Sequence, residues 1–197
     1  MRRAAVVLAL LLATQPAWAE PRPWRQVITN PDRKRLAELW KTWQLAKTQV
    51  ADAGHAAEWT ALGDLVEPLA TAEFSPPPPG QYRCRTVKLG TRNPGMPVWA
   101  MSDTTPCRID IDGENLRFAD GGGVQRTAGL LYPDGERLIY LGALTLGAEP
   151  GRFKYRRDGE RDQVGVLHRI GRARWRLELP LPKWESTLDV IDIVPSR

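Results

Sequence analysis

Glu160-Arg161-Asp162, closely preceded by Arg156, Arg157 and Asp158, is the densest polar cluster of this 197-residue chain. Two carboxylates flanking an arginine are equipment for acid–base chemistry on a glycosidic bond, with their separation deciding the mechanism. Successive strand residues point to opposite faces, so Glu160 and Asp162 would share one side and Arg161 the other. Carboxylates with no partner histidine or metal more often form salt bridges. Hydrolysis of an envelope glycan or ester by Glu160 and Asp162 therefore stands as an alternative function, not the first.

Other catalytic signatures fail. There is no G-x-S-x-G elbow, and Ser75, Ser102, Ser186 and Ser196 lie near no histidine in sequence. His55 falls near the start of a surface helix, and His168 falls in a strand, where a hydrogen-bonded structural role is commoner than that of a base. Neither a Walker A loop nor a G-x-G-x-x-G turn is present, so no cofactor is implied. Asp110 to Asn115 has the oxygen richness of a calcium loop but lacks EF-hand spacing, and the flanking Ile109, Ile111, Leu116 and Phe118 suit a hairpin instead. Cys84 and Cys107 form no CxxC, and no histidine stands at metal-ligand spacing from them, so no metal site is expected. The pair is expected to form a disulfide.

The elements that must position these groups fall into two parts. Residues 20–75 are expected to be a helical segment packing on a β domain. Asn30-Pro31 supplies a helix start, Leu36, Leu39, Trp40, Trp43 and Val50 recur at helical spacing, and Gly54 supplies a stop. A second helix is expected over 56–65. The Trp40/Trp43 stripe is expected to be a core face.

Ser75 and the four prolines Pro76–Pro79 mark a boundary, with residues 76–80 expected to be a stiff spacer. Residues 81–197 then present about eight short strands joined by turn signals such as Asp112-Gly113 and Pro133-Asp134-Gly135-Glu136. Trp175, Leu177 and Leu179 alternate with Arg174, Arg176 and Glu178. The fold class expected is α+β: an N-terminal helical pair followed by an antiparallel β-barrel or sandwich, calycin-like by analogy of size alone.

Arginine outnumbers lysine 16 to 3 after residue 80, and arginine forks suit carboxylates, phosphates and sugar acids. Cross-strand Arg–Asp/Glu pairs would explain most of these arginines. A ligand site at the barrel mouth is nevertheless expected near Arg83, Arg85, Arg126, Arg161 and Arg176, beside Glu160 and Asp162, with an anionic ligand. The basic residues form no run and no stacking motif occurs, which argues against nucleic acid.

Met1-Arg2-Arg3, the apolar run Ala4–Ala13 and Ala17-Trp18-Ala19 read as a signal peptide over residues 1–19. Removing it lowers the formal net charge of +5 by two. No apolar run reaches the ~18–20 residues of a membrane span. A periplasmic or secreted protein is expected.

Several stretches recur in a recognisable order: Tyr82-Arg83-Cys84-Arg85, Lys88-Leu89-Gly90, Gln125-Arg126, Gly129-Leu130-Leu131-Tyr132, Leu141-Gly142-Ala143, Glu160-Arg161-Asp162, Arg174-Trp175-Arg176-Leu177 and Ser186-Thr187-Leu188-Asp189-Val190. As an ordered set they resemble domain of unknown function 4893, a family of exported bacterial proteins, from about Trp24 to Pro195. The resemblance implies no activity, cofactor or catalytic residue. The chain departs from the family pattern at Val124 and at His168, which lowers the weight of chemistry at those two places. The function expected first is non-catalytic ligand binding or cell-envelope maintenance. A second alternative is an inhibitor or assembly partner of a periplasmic enzyme.

Overall fold

The computed structural model describes residues 23–149, 151 and 154–196. The leader expected at residues 1–19 lies outside the described residues. Four helices open the described chain: α1 (Trp24–Val27), α2 (Asn30–Ala37), α3 (Leu39–Asp52) and α4 (Ala56–Ala61), followed by a 3-10 turn (Gly63–Val66). Among the described residues no helix is long and apolar enough to cross a membrane. The cap of α2 is Thr29, whose hydroxyl accepts from the Asp32 N–H at 3.4 Å, one residue before the expected Asn30.

The helix expected to start at Asn30 and run continuously to about Gly54 is broken at Glu38, which leaves helical geometry at φ −90° and ψ 2°. The break suits a curved support. Leu36 of α2 packs on one patch of the β wall, Trp43, Ala46 and Val50 of α3 pack on another, and Leu39 touches both.

Nine strands come next: β1 (Gly80–Leu89), β2 (Trp99–Met101), β3 (Thr105–Asp112), β4 (Asn115–Asp120), β5 (Gln125–Pro133), β6 (Leu138–Leu146), β7 (Asp162–Gly171), β8 (Arg174–Pro180) and β9 (Leu188–Pro195). All neighbours are antiparallel, and β3 to β9 pair in chain order. β1 then pairs with β9 over its length, from Tyr82↔Pro195 to Leu89↔Leu188. That pairing closes an eight-stranded barrel and excludes the sandwich. The other edge of β1 is shared by β3, along Gly80–Cys84, and the short β2, along Val87–Leu89. The β3–β4 turn is made by Gly113 at φ +61°, a conformation that costs a residue without a Cβ little.

The barrel interior holds Tyr82, Cys84, Ile109, Phe118, Leu131, Tyr140, Leu167, Trp175, Leu177 and Ile193, all at most 4% exposed. The outer wall is also apolar in two patches. Val87, Leu89, Leu188 and Val190 carry Trp43, Val50 and Leu65; Ile139, Leu141, Val164 and Val166 carry Trp24 and Ile28. Each such buried side chain stabilises by roughly 1.5–3 kcal/mol. Being covered on both faces, β6 to β9 are buried along nearly their whole length. Trp43 joins the core as expected, whereas Trp40 is 50% exposed.

Candidate functional site

The two ends of the barrel differ. At one, Tyr82 and Trp175 meet edge to face with ring centroids 6.0 Å apart, and Phe74 packs against the apolar cluster to which they belong. The segment entering β1 is tied over this end: Trp175 Nε1 donates to the Ser75 carbonyl at 2.8 Å and Tyr82 Oη to that of Pro78 at 2.5 Å. Side chains and the proline-rich strap fill it.

The opposite end opens into a cavity of about 540 Å³, within the ~300–1,000 Å³ range of small-molecule sites. Its wall reflects the two-residue period of the strands. Along the inward face of β1 the series Tyr82, Cys84, Thr86, Lys88 changes from apolar to polar. The same change appears in reverse chain direction from Gln125 and Thr127 to Leu131 on β5, from Gln163 to Leu167 on β7, and from Asp189 to Ile191 and Ile193 on β9. Thr105 and Asp120 complete the polar ring from β3 and β4. Leu144, Leu179 and Ile191 provide an apolar patch.

Behind the lining residue Thr127 lies Tyr140, fully buried, with its hydroxyl 2.6 Å from Thr127 Oγ1 and its ring edge to face with Phe118 at 6.2 Å. The Tyr140 ring lies over Gly142, which pairs with Gly129 on β5. A Cβ at Gly129 would stand 2.4 Å from the Gly142 Cα, so β5 and β6 approach there only because neither residue has a side chain. The Cys84–Cys107 disulfide, Cα atoms 5.8 Å apart, belongs to the same interior and ties β1 to β3.

The mouth is acidic. Lys88 Nζ stands 3.2 Å from Glu185 and 3.4 Å from Asp189, and Asp103 and Asp120 add two further carboxylates. Asp189 accepts from the Ser186 hydroxyl. Burial pushes its carboxyl above the usual range, against the opposing pull of Lys88 and Ser186. Asp120 accepts from Thr105 Oγ1 and the Gly122 N–H, both at 3.1 Å. Gln125 spans the rim, donating to Glu185 at 3.1 Å. Such a ring can hold and orient a polar ligand. Among the described residues no group of three or more His, Cys, Asp or Glu is placed to hold a metal ion.

None of the seven residues expected at the ligand site lines this cavity. The reason is strand parity. Arg83 and Arg85 are odd-numbered on β1, where even numbers face inward; Arg83 is exposed and Arg85 lies 3.7 Å from Asp192 on the outer wall. Arg126 donates to the carbonyls of Gly147 and Glu149 at 3.0 and 3.1 Å. Arg161 makes two 2.7 Å bonds to Glu149 and lies 5.7 Å from the Trp184 ring centre.

Arg176 is wholly buried beneath the helices, donating to the carbonyls of Asp64, Glu67 and Pro68 at 2.6–3.0 Å and to Glu178 at 2.8 Å. Glu160, Arg161 and Asp162 line a narrow pocket beside the mouth together with Lys88 and Asp189, but the two carboxylates have different surroundings. Glu160 is 70% exposed, 3.5 Å from Lys183, while Asp162 is buried and accepts from the Arg156 N–H at 2.8 Å. His168 has the structural partner its strand position suggests, Glu178, at 2.9 Å.

The residues missed by sequence reasoning, Lys88, Gln163 and Asp189 above all, carry a signal nonetheless. Each is the polar end of an inward series whose other members are apolar.

Fold and cavity together define a class: a closed up-and-down β-barrel, clad by helices on its outer wall and open to a polar cavity at one end. Within it, the chain belongs to the family described as Domain of unknown function (DUF4893), whose profile matches residues 24–193. No curated protein and no solved structure matches the chain.

Proposed function

We propose that this protein is an exported, non-catalytic binding barrel that holds a small polar ligand in its mouth and serves the cell envelope from the periplasm or as a secreted protein. The observation that carries this reading is the cavity of about 540 Å³ at one end of the barrel, with Thr86, Lys88, Gln163 and Asp189 in its polar wall. Export is supported by the Cys84–Cys107 disulfide, since such bonds persist in oxidising compartments, and by the leader pattern of residues 1–19. The anionic ligand expected from the arginines has lost its basis, because those arginines lie outside the cavity.

The experiment is native mass spectrometry of the protein isolated from its exporting cells, beside the Thr86→Trp variant, which fills the cavity from β1. Folding of the variant is checked by circular dichroism. The wild type is expected to retain a molecule of a few hundred daltons that the folded variant lacks. Equal retention by both, or the bare protein mass in the wild type, would overturn the reading.

A further inference from the structure

We infer that the ligand of the mouth cavity is a small organic cation that also carries hydroxyl or carbonyl groups, an amino sugar or hydroxylated amine in chemical class. This rests on the binding reading above and adds the ligand's charge and polar groups.

The first observation is charge. Four carboxylates line the cavity, those of Asp103, Asp120, Glu185 and Asp189, against the single cation of Lys88. Lys88 already stands between Glu185 and Asp189, at 3.2 and 3.4 Å. Even with Asp120 left out of the count, Asp103, Glu185 and Asp189 outnumber the one cation that lines the cavity, so an anion entering the mouth meets net repulsion and an ammonium net attraction.

The second observation is independent of charge. Gln163 is 6% exposed and lines the cavity, and its amide oxygen accepts from Thr127 Oγ1. Its amide nitrogen has no hydrogen-bond partner among the described residues. A primary amide has two donors to place, and the Gln163 nitrogen, which is not sealed away from the cavity, keeps them open to it. A ligand hydroxyl or carbonyl oxygen accepts from that nitrogen. The apolar patch of Leu144, Leu179 and Ile191 then suits the hydrocarbon face of the same molecule. A bare metal ion would leave both the amide and this patch unused.

The test compares three probes with one ring and three charges: glucosamine, glucose and glucuronate, titrated calorimetrically into the full mature protein at low salt. Glucosamine is expected to bind at least tenfold more tightly than glucose, with glucuronate weakest. The Gln163→Leu variant, checked for folding, is expected to weaken glucosamine and glucose alike, and Glu185→Gln to weaken glucosamine selectively. Equal or tighter binding of glucose or glucuronate would overturn the inference while leaving the cavity as a binding site. Binding of none of the three would also overturn it. Failure of the cavity reading shows separately, as retention unaffected by Thr86→Trp or as no retained molecule at all.

Discussion

Trp43 Nε1 donates to Glu178 Oε2 at 2.8 Å, linking α3 to β8 across 135 residues of sequence. The same carboxylate accepts from His168 Nδ1 at 2.9 Å and Arg176 Nε at 2.8 Å. Glu178 and Arg176 are at most 2% exposed, and the remaining guanidinium nitrogens of Arg176 reach three backbone carbonyls. The helical layer is thus fastened to the barrel by one satisfied polar network inside an apolar interface.

Removing one member of a buried ion pair strands the other. Glu178→Ala is expected to lower unfolding stability by about 3–5 kcal/mol in urea titrations, because Arg176 keeps its charge without its carboxylate. A loss below ~1 kcal/mol would contradict the role given to the network.

Acid should act through the same group. Burial raises the Glu178 pKa, but hydrogen bonds from His168 and Trp43 and the charge of Arg176 outweigh it and hold the carboxyl below its ordinary 4.5. A carboxyl depressed in the folded state contributes stability above its unfolded pKa, and that contribution is lost as pH falls through the folded value. Wild type should therefore lose more stability than Glu178→Gln between pH 5 and the acid limit, the difference opening below about 4.5. Parallel profiles would refute it.

The disulfide spans 23 residues and both sulfurs belong to residues at most 2% exposed. Closing a loop of that size stabilises by about 3 kcal/mol in the chain-entropy model. The Cys84→Ala/Cys107→Ala double variant should fall by roughly that amount in denaturant titrations, and reductant should lower the melting temperature of the wild type. Unchanged values in both would count against a stabilising bond.

Gly129 is expected to be intolerant. A Cβ there meets the Gly142 Cα and the Leu141 carbonyl oxygen, each at 2.4 Å, so Gly129→Ala must spread β5 from β6. Overpacking of this kind costs about 1–3 kcal/mol or more. Gly159→Ala, with nothing within 4 Å of its Cβ, should change stability by less than ~0.5 kcal/mol. Equal melting temperatures for the two variants would contradict the tight approach.

The strands and hairpins are legible in sequence because alternation and turn residues are local signals. Closure is not: the β1–β9 pairing joins Tyr82 to Pro195, and nothing near either residue announces the other. The break at Glu38 is equally hidden, since it answers to the curvature of a wall built later in the chain. The arginines mislead for a sharper reason. Periodicity says that Arg174, Arg176 and Glu178 share a face, but not which face is inside when Trp175 and Leu177 fill the barrel and Val164 and Val166 meet the helices. The mouth itself is readable as the polar end of four inward series, once strand direction and parity are assigned together.

Binding of a hydroxylated organic cation beside Gln163 in the barrel mouth is tested most directly by titrating ¹⁵N-labelled protein with glucosamine and following the Gln163 side-chain amide by NMR. That resonance is expected to shift in a saturable manner, together with the backbone amides of Lys88, Thr127 and Asp189, while the Trp40 indole on the outer helix stays still. Saturable shifts confined to the helical face, or none at the Gln163 amide at saturating glucosamine, would contradict it.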